Sequence, residues 1–272
     1  MTVAFSMTIR KGGTGKTTSA VTIGHALAAM GKRTLIVDLD SQGHVGLFLH
    51  RGMAPDAADA LTGQRPVLRC ITPSGRDNLF LIRADESLTE AAKQLNADAF
   101  GVFAVRELVA KLSLFDVIIF DTAPSDGILQ QAALFGVDYV ICPAATQFAA
   151  VAGVATLIEA MRNMAKRGAN ARLLYTVPTR YRPGLLEHKA SLDDLQSAFT
   201  KHCTEPVHER TILEKCSAEG MTIWERTEAN VSQLVNEADI ALRRGRPNKP
   251  FSQVSLAAWE YARVVSRVAR VL

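Results

Sequence analysis

The sequence predicts an α/β fold, a single domain over residues 1–272 built on a doubly wound, mostly parallel sheet with helices on both faces. Three observations predict it. Apolar strand-like runs alternate with helical patterns along all 272 residues, with no linker or composition shift between them, and a 48% hydrophobic composition supplies a substantial core. A glycine-rich stretch carrying two lysines lies between the first strand and the first helix. Two apolar strands end in carboxylates, and a parallel sheet gathers such strand ends along one edge.

Taken in order, Val3, Phe5, Met7 and Ile9 alternate as a strand over 3–9, and Ala20, Ile23, Gly24, Leu27 and Ala28 recur at helical spacing over 17–30. Between them, Lys11-Gly12-Gly13-Thr14-Gly15-Lys16-Thr17-Thr18 reads as a phosphate cradle, so the sheet is of the P-loop nucleotide-hydrolase type. Gly12, Gly13 and Gly15 allow positive φ and bring bare N–H groups within reach of phosphate oxygens. The following helix start favours an anion, Lys16 reaches the β- and γ-phosphates, and Thr17 is placed to ligate Mg²⁺. The expected ligands are ATP and Mg²⁺.

A second strand over 34–38 runs into Asp38-Leu39-Asp40-Ser41-Gln42-Gly43. A carboxylate at a strand's C-terminal end can orient or deprotonate an attacking water, the role expected of Asp40. Asp38 has three open roles: holding Mg²⁺-bound waters, holding an adjoining loop, or capping the turn. A strand over 79–82 and helices over 87–96 and 101–112 follow. Val117-Ile118-Ile119-Phe120 then leads into Asp121-Thr122-Ala123-Pro124, an apolar strand over 117–121 with one carboxylate at its tip, which suits metal positioning through water. Strands over 138–142 and 173–177 flank a helix over 152–167.

Lys11 has no role in an ordinary phosphate loop, because its side chain emerges before the cradle closes. The pattern Lys-Gly-Gly-x-Gly-Lys-Thr-Thr resembles the deviant Walker A motif of the ParA/MinD family of ATPases, closest to the ParA-type partition ATPases. That resemblance implies that Lys11 crosses a dimer interface and neutralises phosphate charge on the partner's nucleotide, as an arginine finger does. Thr34 to Gly43 resembles the family's second motif, with Asp40 matching the residue needed for hydrolysis, and Val117 to Pro124 resembles its Walker B segment. Gly136 to Pro143 and Leu173 to Tyr181 resemble two later strands with their exits; the second exit, with Pro178 and Thr179, is implied to lie near the base. The likeness spans nearly the whole chain. It implies an ATP-dependent sandwich homodimer that binds double-stranded DNA non-specifically. A ParB-like or cargo-adaptor protein would stimulate hydrolysis and so move a plasmid, a chromosome or other cargo. The chain departs from the pattern at Ala145 and Gln147, where relatives often carry Gln and then Glu, and at Ile212, where some place a DNA-binding arginine.

The net charge is only +4, yet from Ala241 to Leu272 there are seven Arg or Lys and one acid, Glu260. Arg243, Arg244, Arg246 and Lys249 crowd a turn. Arg263, Arg267 and Arg270 fall at i, i+4 and i+7, so one face of the last helix is expected to form a basic stripe that meets DNA phosphates. On the same helix Ala258, Tyr261, Ala262, Val265, Val268, Ala269 and Leu272 form an apolar stripe, read as packing on the domain itself, with Trp259 the residue favouring a MinD-like membrane anchor instead. The four cysteines, Cys70, Cys142, Cys203 and Cys216, include no C-x-x-C pair, which disfavours a disulfide framework, a zinc site and an iron-cluster reductase. The six histidines show no metal spacing. The start of the chain lacks a signal-peptide pattern, so the expected location is the cytoplasm, with association with the nucleoid implied by the resemblance; no obvious helix-turn-helix precedes the P-loop, which disfavours operator-specific autoregulation.

Overall fold

A computed structural model of the chain describes residues 1–245 and 255–272; Arg246 and Lys249 of the expected basic surface lie outside the described residues. The first half of the chain contains β1 (Val3–Met7), α1 (Lys16–Ala29), β2 (Thr34–Leu39), α2 (His44–Phe48), α3 (Asp56–Thr62), β3 (Thr72–Arg76), β4 (Leu79–Ile82), α4 (Ser87–Ala97) and α5 (Ala104–Ala110). The second half contains β5 (Val117–Thr122), α6 (Ile128–Gly136), β6 (Tyr139–Ala145), α7 (Ala150–Ala165), β7 (Arg172–Thr179), α8 (Leu186–Phe199), α9 (Thr211–Ala218), α10 (Ile223–Arg226), α11 (Val231–Arg243) and α12 (Leu256–Val268).

The strands form one seven-stranded sheet in the order β3-β4-β2-β5-β1-β6-β7, parallel except for the β3–β4 pair. Strand side chains alternate between faces, and both faces are apolar because helices cover both. Leu35, Val37, Ile118 and Phe120 enter one core with α3 to α7, while Ile36, Val117, Ile119, Phe5 and Met7 enter the other with α1 and α12. Gly24 of α1 shows how closely the second layer packs: a Cβ there would stand 2.8 Å from Cδ1 of Ile36 on β2.

The expected doubly wound sheet is therefore present, with one strand more than anticipated. Residues 72–76 read Thr-Pro-Ser-Gly-Arg, with proline and glycine where strand formers belong; they pair only as an antiparallel edge strand with a register shift between Pro73 and Arg76, the sheet position where those residues are tolerated.

The last helix corrects the expected DNA surface. Every residue of α12 from Ala257 to Val268 is buried except Arg267, which is half-buried. Arg263 is 3% exposed and donates to the carbonyl of Pro206 at 3.1 Å, so it is no part of a solvent-facing stripe. Arg267 pairs with Glu205 at 2.6 Å, while Arg270, beyond the end of α12, stays exposed and shares Asp239 with Arg243 at 2.7 and 2.6 Å. The reason is tertiary: α11, α1 and the chain before α9 close on α12 from several sides, so spacing along one helix does not identify a free face. The apolar stripe packs on the molecule itself, as expected, and Trp259 is buried with it, which removes the feature that favoured a membrane anchor. Among the described residues, no helix is long and apolar enough to cross a membrane. Ile212, at the position of the relatives' arginine, packs against the same core.

Candidate functional site

The order β2-β5-β1 puts three strand ends side by side, and residues opposite one another in register include Asp38 with Asp121 and Met7 with Asp121. The loop after β1, Asp40 after β2 and Asp121 on β5 consequently meet at one edge, outside the strand C-termini. Gly13 (φ 69°) and Gly15 (φ 84°) take the left-handed conformation that the cradle needs, whereas Gly12 does not; the expectation of positive φ holds for two of the three glycines. Gly15 is the N-cap of α1 and has no side chain to cap it, and the first internal helix bond runs from Ser19 N–H to the Gly15 carbonyl. The amides of the first turn are thereby left for an anion.

Lys16 is largely buried at the start of that helix, its Nζ donating to the Lys11 carbonyl at 3.3 Å. Burial lowers its pKa, and the neighbouring carboxylates of Asp121 and Asp40 pull it back up, which places both acids in its electrostatic reach. Thr17 donates from Oγ1 to Oδ2 of Asp121 at 2.6 Å. The other oxygen of Asp121 is buried with no hydrogen-bond partner, and burial pushes this carboxyl up to about 7 against the opposing pull of Thr17 and Lys16. A carboxylate oxygen left unpaired beside a cradle hydroxyl is the donor arrangement that a magnesium-bound water completes, so these residues fit the ion.

Asp38 occupies one of its three expected roles. Its Oδ1 accepts from Asp40 N–H and its Oδ2 from Val45 N–H, both at 2.9 Å, so it holds the loop carrying Asp40; burial, then the proximity of Asp121, raises its pKa well above the usual carboxylate range. Each oxygen of Asp38 serves one backbone amide, which is the loop-holding role among the three open to it, and each keeps a further acceptor site for the expected metal-bound water. Asp40 is half-buried, its Oδ1 accepting from Gln42 N–H at 3.1 Å. Lys11 is exposed and its Nζ donates to Oε1 of Gln147 at 3.1 Å, so one departure from the family pattern is the partner of the extra lysine. Ala145, another, is buried in β6 opposite Thr179.

Beyond the cradle opens a pocket of about 420 Å³ whose lining includes Gly13, Gly15, Thr18, Thr179, Arg180, His208, Arg210 and Tyr261. Thr179 donates to the Thr14 carbonyl at 2.7 Å, tying the end of β7 to the loop. Pro178 acts one layer back, its carbonyl accepting from Val207 N–H at 2.8 Å. Arg180, in a left-handed conformation (φ 53°), donates to the Gly13 carbonyl at 3.0 Å and to Glu209 at 2.7 Å. Sequence reasoning missed Arg180, His208 and Arg210. Arg180 lies inside the stretch from Leu173 to Tyr181 that carries the family resemblance and was accessible to it; the other two belong to no motif and arrive through a bridge between Tyr181 and His208.

This arrangement of phosphate loop, paired acidic strand ends and adjoining pocket coincides with a family match: the model described as an AAA domain matches residues 2–174. The chain belongs to this AAA domain family. Within it, the chain is similar to the chromosome-partitioning ATPase Soj of Treponema pallidum, with 33% identity over 167 residues, covering 60% of this chain and 65% of Soj. The matched part thus spans just under two thirds of that relative. The likeness to ParA-type ATPases read from the motifs is borne out at the level of family. Among solved structures, apo McdA of Cyanothece has the same fold at a TM-score of 0.78, with 19% identity over 97% of this chain and 99% of McdA. A putative plasmid partition protein from Borrelia burgdorferi B31, bound to AMPPNP, matches 100% of both chains at a TM-score of 0.76 and 19% identity. At these identities the two structures speak for the fold of this AAA domain chain and not for its ligands.

Proposed function

We propose that this chain is a ParA-type ATPase, one domain that binds ATP with Mg²⁺ and hydrolyses it to ADP and phosphate in the service of partition or positioning of cargo. The observation that carries the reading is the hydrogen bond between Thr17 of the glycine loop and Asp121 of β5, with the second Asp121 oxygen unpartnered. When bound, Mg²⁺ supplies charge neutralisation at the β- and γ-phosphates, held by the Thr17 hydroxyl and through water by Asp121. The first-turn amides of α1 and the Lys16 ammonium hold the phosphates, and the pocket beside Thr179 and Arg180 takes the nucleoside. Asp40, steadied by Asp38, orients the attacking water and accepts its proton. Lys11 leaves Gln147 to reach the nucleotide of a second subunit, so the active unit is an ATP-dependent homodimer.

The dimer then binds double-stranded DNA through its phosphates and releases it after hydrolysis stimulated by a ParB-like or cargo-adaptor protein, which would associate it with the nucleoid in the cytoplasm. With Arg263 withdrawn into the core and Arg267 half-buried against Glu205, the proposed DNA-binding residues are Arg243 and Arg244 at the exposed end of α11 and the exposed Arg270, which shares Asp239 with Arg243, with Arg246 and Lys249 following in the sequence. Titration with a fluorescent ATP analogue in the presence of Mg²⁺ tests the reading. Lys16→Ala should abolish binding, because the phosphates lose their buried counter-charge; wild-type affinity in that variant would defeat the assignment of the loop.

A further inference from the structure

A buried acid on an otherwise densely packed helix needs a reason, because an unpaired carboxylate in that environment is strongly unfavourable. Glu260 of α12 is 4% exposed, and it faces residues that line the nucleotide pocket. One of its oxygens accepts from His208 N–H at 3.0 Å, while the other lies 2.7 Å from a guanidinium nitrogen of Arg210 and 2.8 Å from Nδ1 of His208. His208 and Arg210 belong to an extended segment that bridges to Tyr181, so successive side chains point to opposite sides. Glu209, between them, turns the other way and binds both Arg180 and Arg182. Arg180 in turn donates to the Gly13 carbonyl of the phosphate loop at 3.0 Å. The segment is therefore clamped from two sides: by the C-terminal helix through Glu260, and by the phosphate loop through Arg180.

We propose that Glu260, about 240 residues away in sequence from the phosphate loop, is a positioning residue for the nucleoside half of the bound nucleotide, fixing His208 and Arg210 as one wall of the pocket. The inference rests on the nucleotide reading above and adds to it a division of labour. The glycine loop and Lys16 hold the phosphates with no contact from Glu260, α12 reaching that end of α1 only through the Tyr261 hydroxyl at 3.3 Å from Ser19 Oγ, whereas Glu260 holds the nucleoside wall. Glu205 provides the comparison. It also pairs with an arginine of α12, Arg267, at 2.6 Å, but neither member lines the pocket.

The test measures affinity for a fluorescent ATP analogue, and for inorganic tripolyphosphate by competition, below the melting midpoint of every variant. Glu260→Gln keeps the shape and removes the charge; it should weaken the ATP analogue roughly tenfold, the effect of removing one charge-assisted hydrogen bond, and leave tripolyphosphate unchanged. Glu205→Gln should leave both affinities at wild-type values. A purely structural role would lower the melting temperature without separating the two ligands. Wild-type affinity for the analogue in Glu260→Gln, or an equal loss for both ligands, overturns the inference. A wild-type chain that binds tripolyphosphate but not the ATP analogue, or neither, overturns the nucleotide reading and this inference with it.

Discussion

Asp38 and Asp40 differ by two positions and by what their oxygens do. Asp38 accepts from the backbone amides of Asp40 and of Val45 in α2, whereas the half-buried Asp40 carboxylate accepts from Gln42 N–H nearby. Asp40→Ala should therefore leave binding of the ATP analogue within about twofold of wild type while slowing hydrolysis by roughly 10²-fold or more, since positioned acid–base groups contribute on that scale. Single-turnover phosphate release measured beside equilibrium titration checks it. Asp38→Asn should slow hydrolysis as well, but through a displaced loop. At the cradle, Gly15→Ala meets no neighbour within 4 Å, yet the φ of 84° is strained for any side chain. It should cost about 1 kcal/mol in a chemical denaturation experiment, a backbone effect and not a clash.

The helix α12 is the element whose sequence pattern misleads most. A basic spacing of i, i+4 and i+7 reads as a surface stripe, but Arg263 is buried and bonded to the Pro206 carbonyl. Arg263→Ala should lower stability by about 2 kcal/mol, through poorer packing and the orphaned carbonyl, and leave the salt slope of DNA binding where it was. Thermal melts and a salt titration of DNA affinity separate the two outcomes. Glu260 on the same helix gives a pH signature. Burial alone would raise its pKa, but hydrogen bonds from His208 and Arg210 outweigh that and hold it below its ordinary 4.5. A depressed acid contributes stability that is present above the unfolded pKa and is lost as pH falls through the folded one. The stability difference between wild type and Glu260→Gln should thus be largest above pH 4.5 and shrink below it. Melts across that range would count against the pairing if the difference stayed constant.

At the scale of the molecule, the sheet order brings the loop after β1 between the acidic ends of β2 and β5 on one side and the pocket beside β7 on the other. The extra lysine faces out of this assembly, held by Gln147, and not into its own cradle. Lys11→Ala should accordingly bind the ATP analogue as wild type does and fail to form the ATP-dependent dimer, as read by size-exclusion chromatography with light scattering. A dimer of wild-type strength would remove the role in trans. DNA affinity of the assembled dimer should fall with salt and show little preference among unrelated duplexes. Replacing Arg243 and Arg244 together with Ala should reduce the magnitude of the log–log salt slope by about 0.9 for every DNA phosphate the variant no longer neutralises.

The phosphate loop, Asp40, Asp121 and the parallel sheet were legible in the amino-acid sequence because each is a local pattern: glycines where φ turns positive, a lysine and a hydroxyl at a helix start, an acid at the tip of an apolar strand. Local conformational limits and side-chain chemistry dictate such features wherever the strand eventually sits. The pocket wall of His208 and Arg210 and the fate of the C-terminal arginines were not legible, and neither was the edge strand Thr72–Arg76. His208, Arg210 and Glu260 come together across 50 residues and more of chain, and only packing determines which carboxylate a given guanidinium meets. The spacing along α12 was enough to make it helical; the elements closing around it decided that Arg263 would be buried and Arg267 paired with Glu205, because a buried charge persists only where the fold supplies its counterpart.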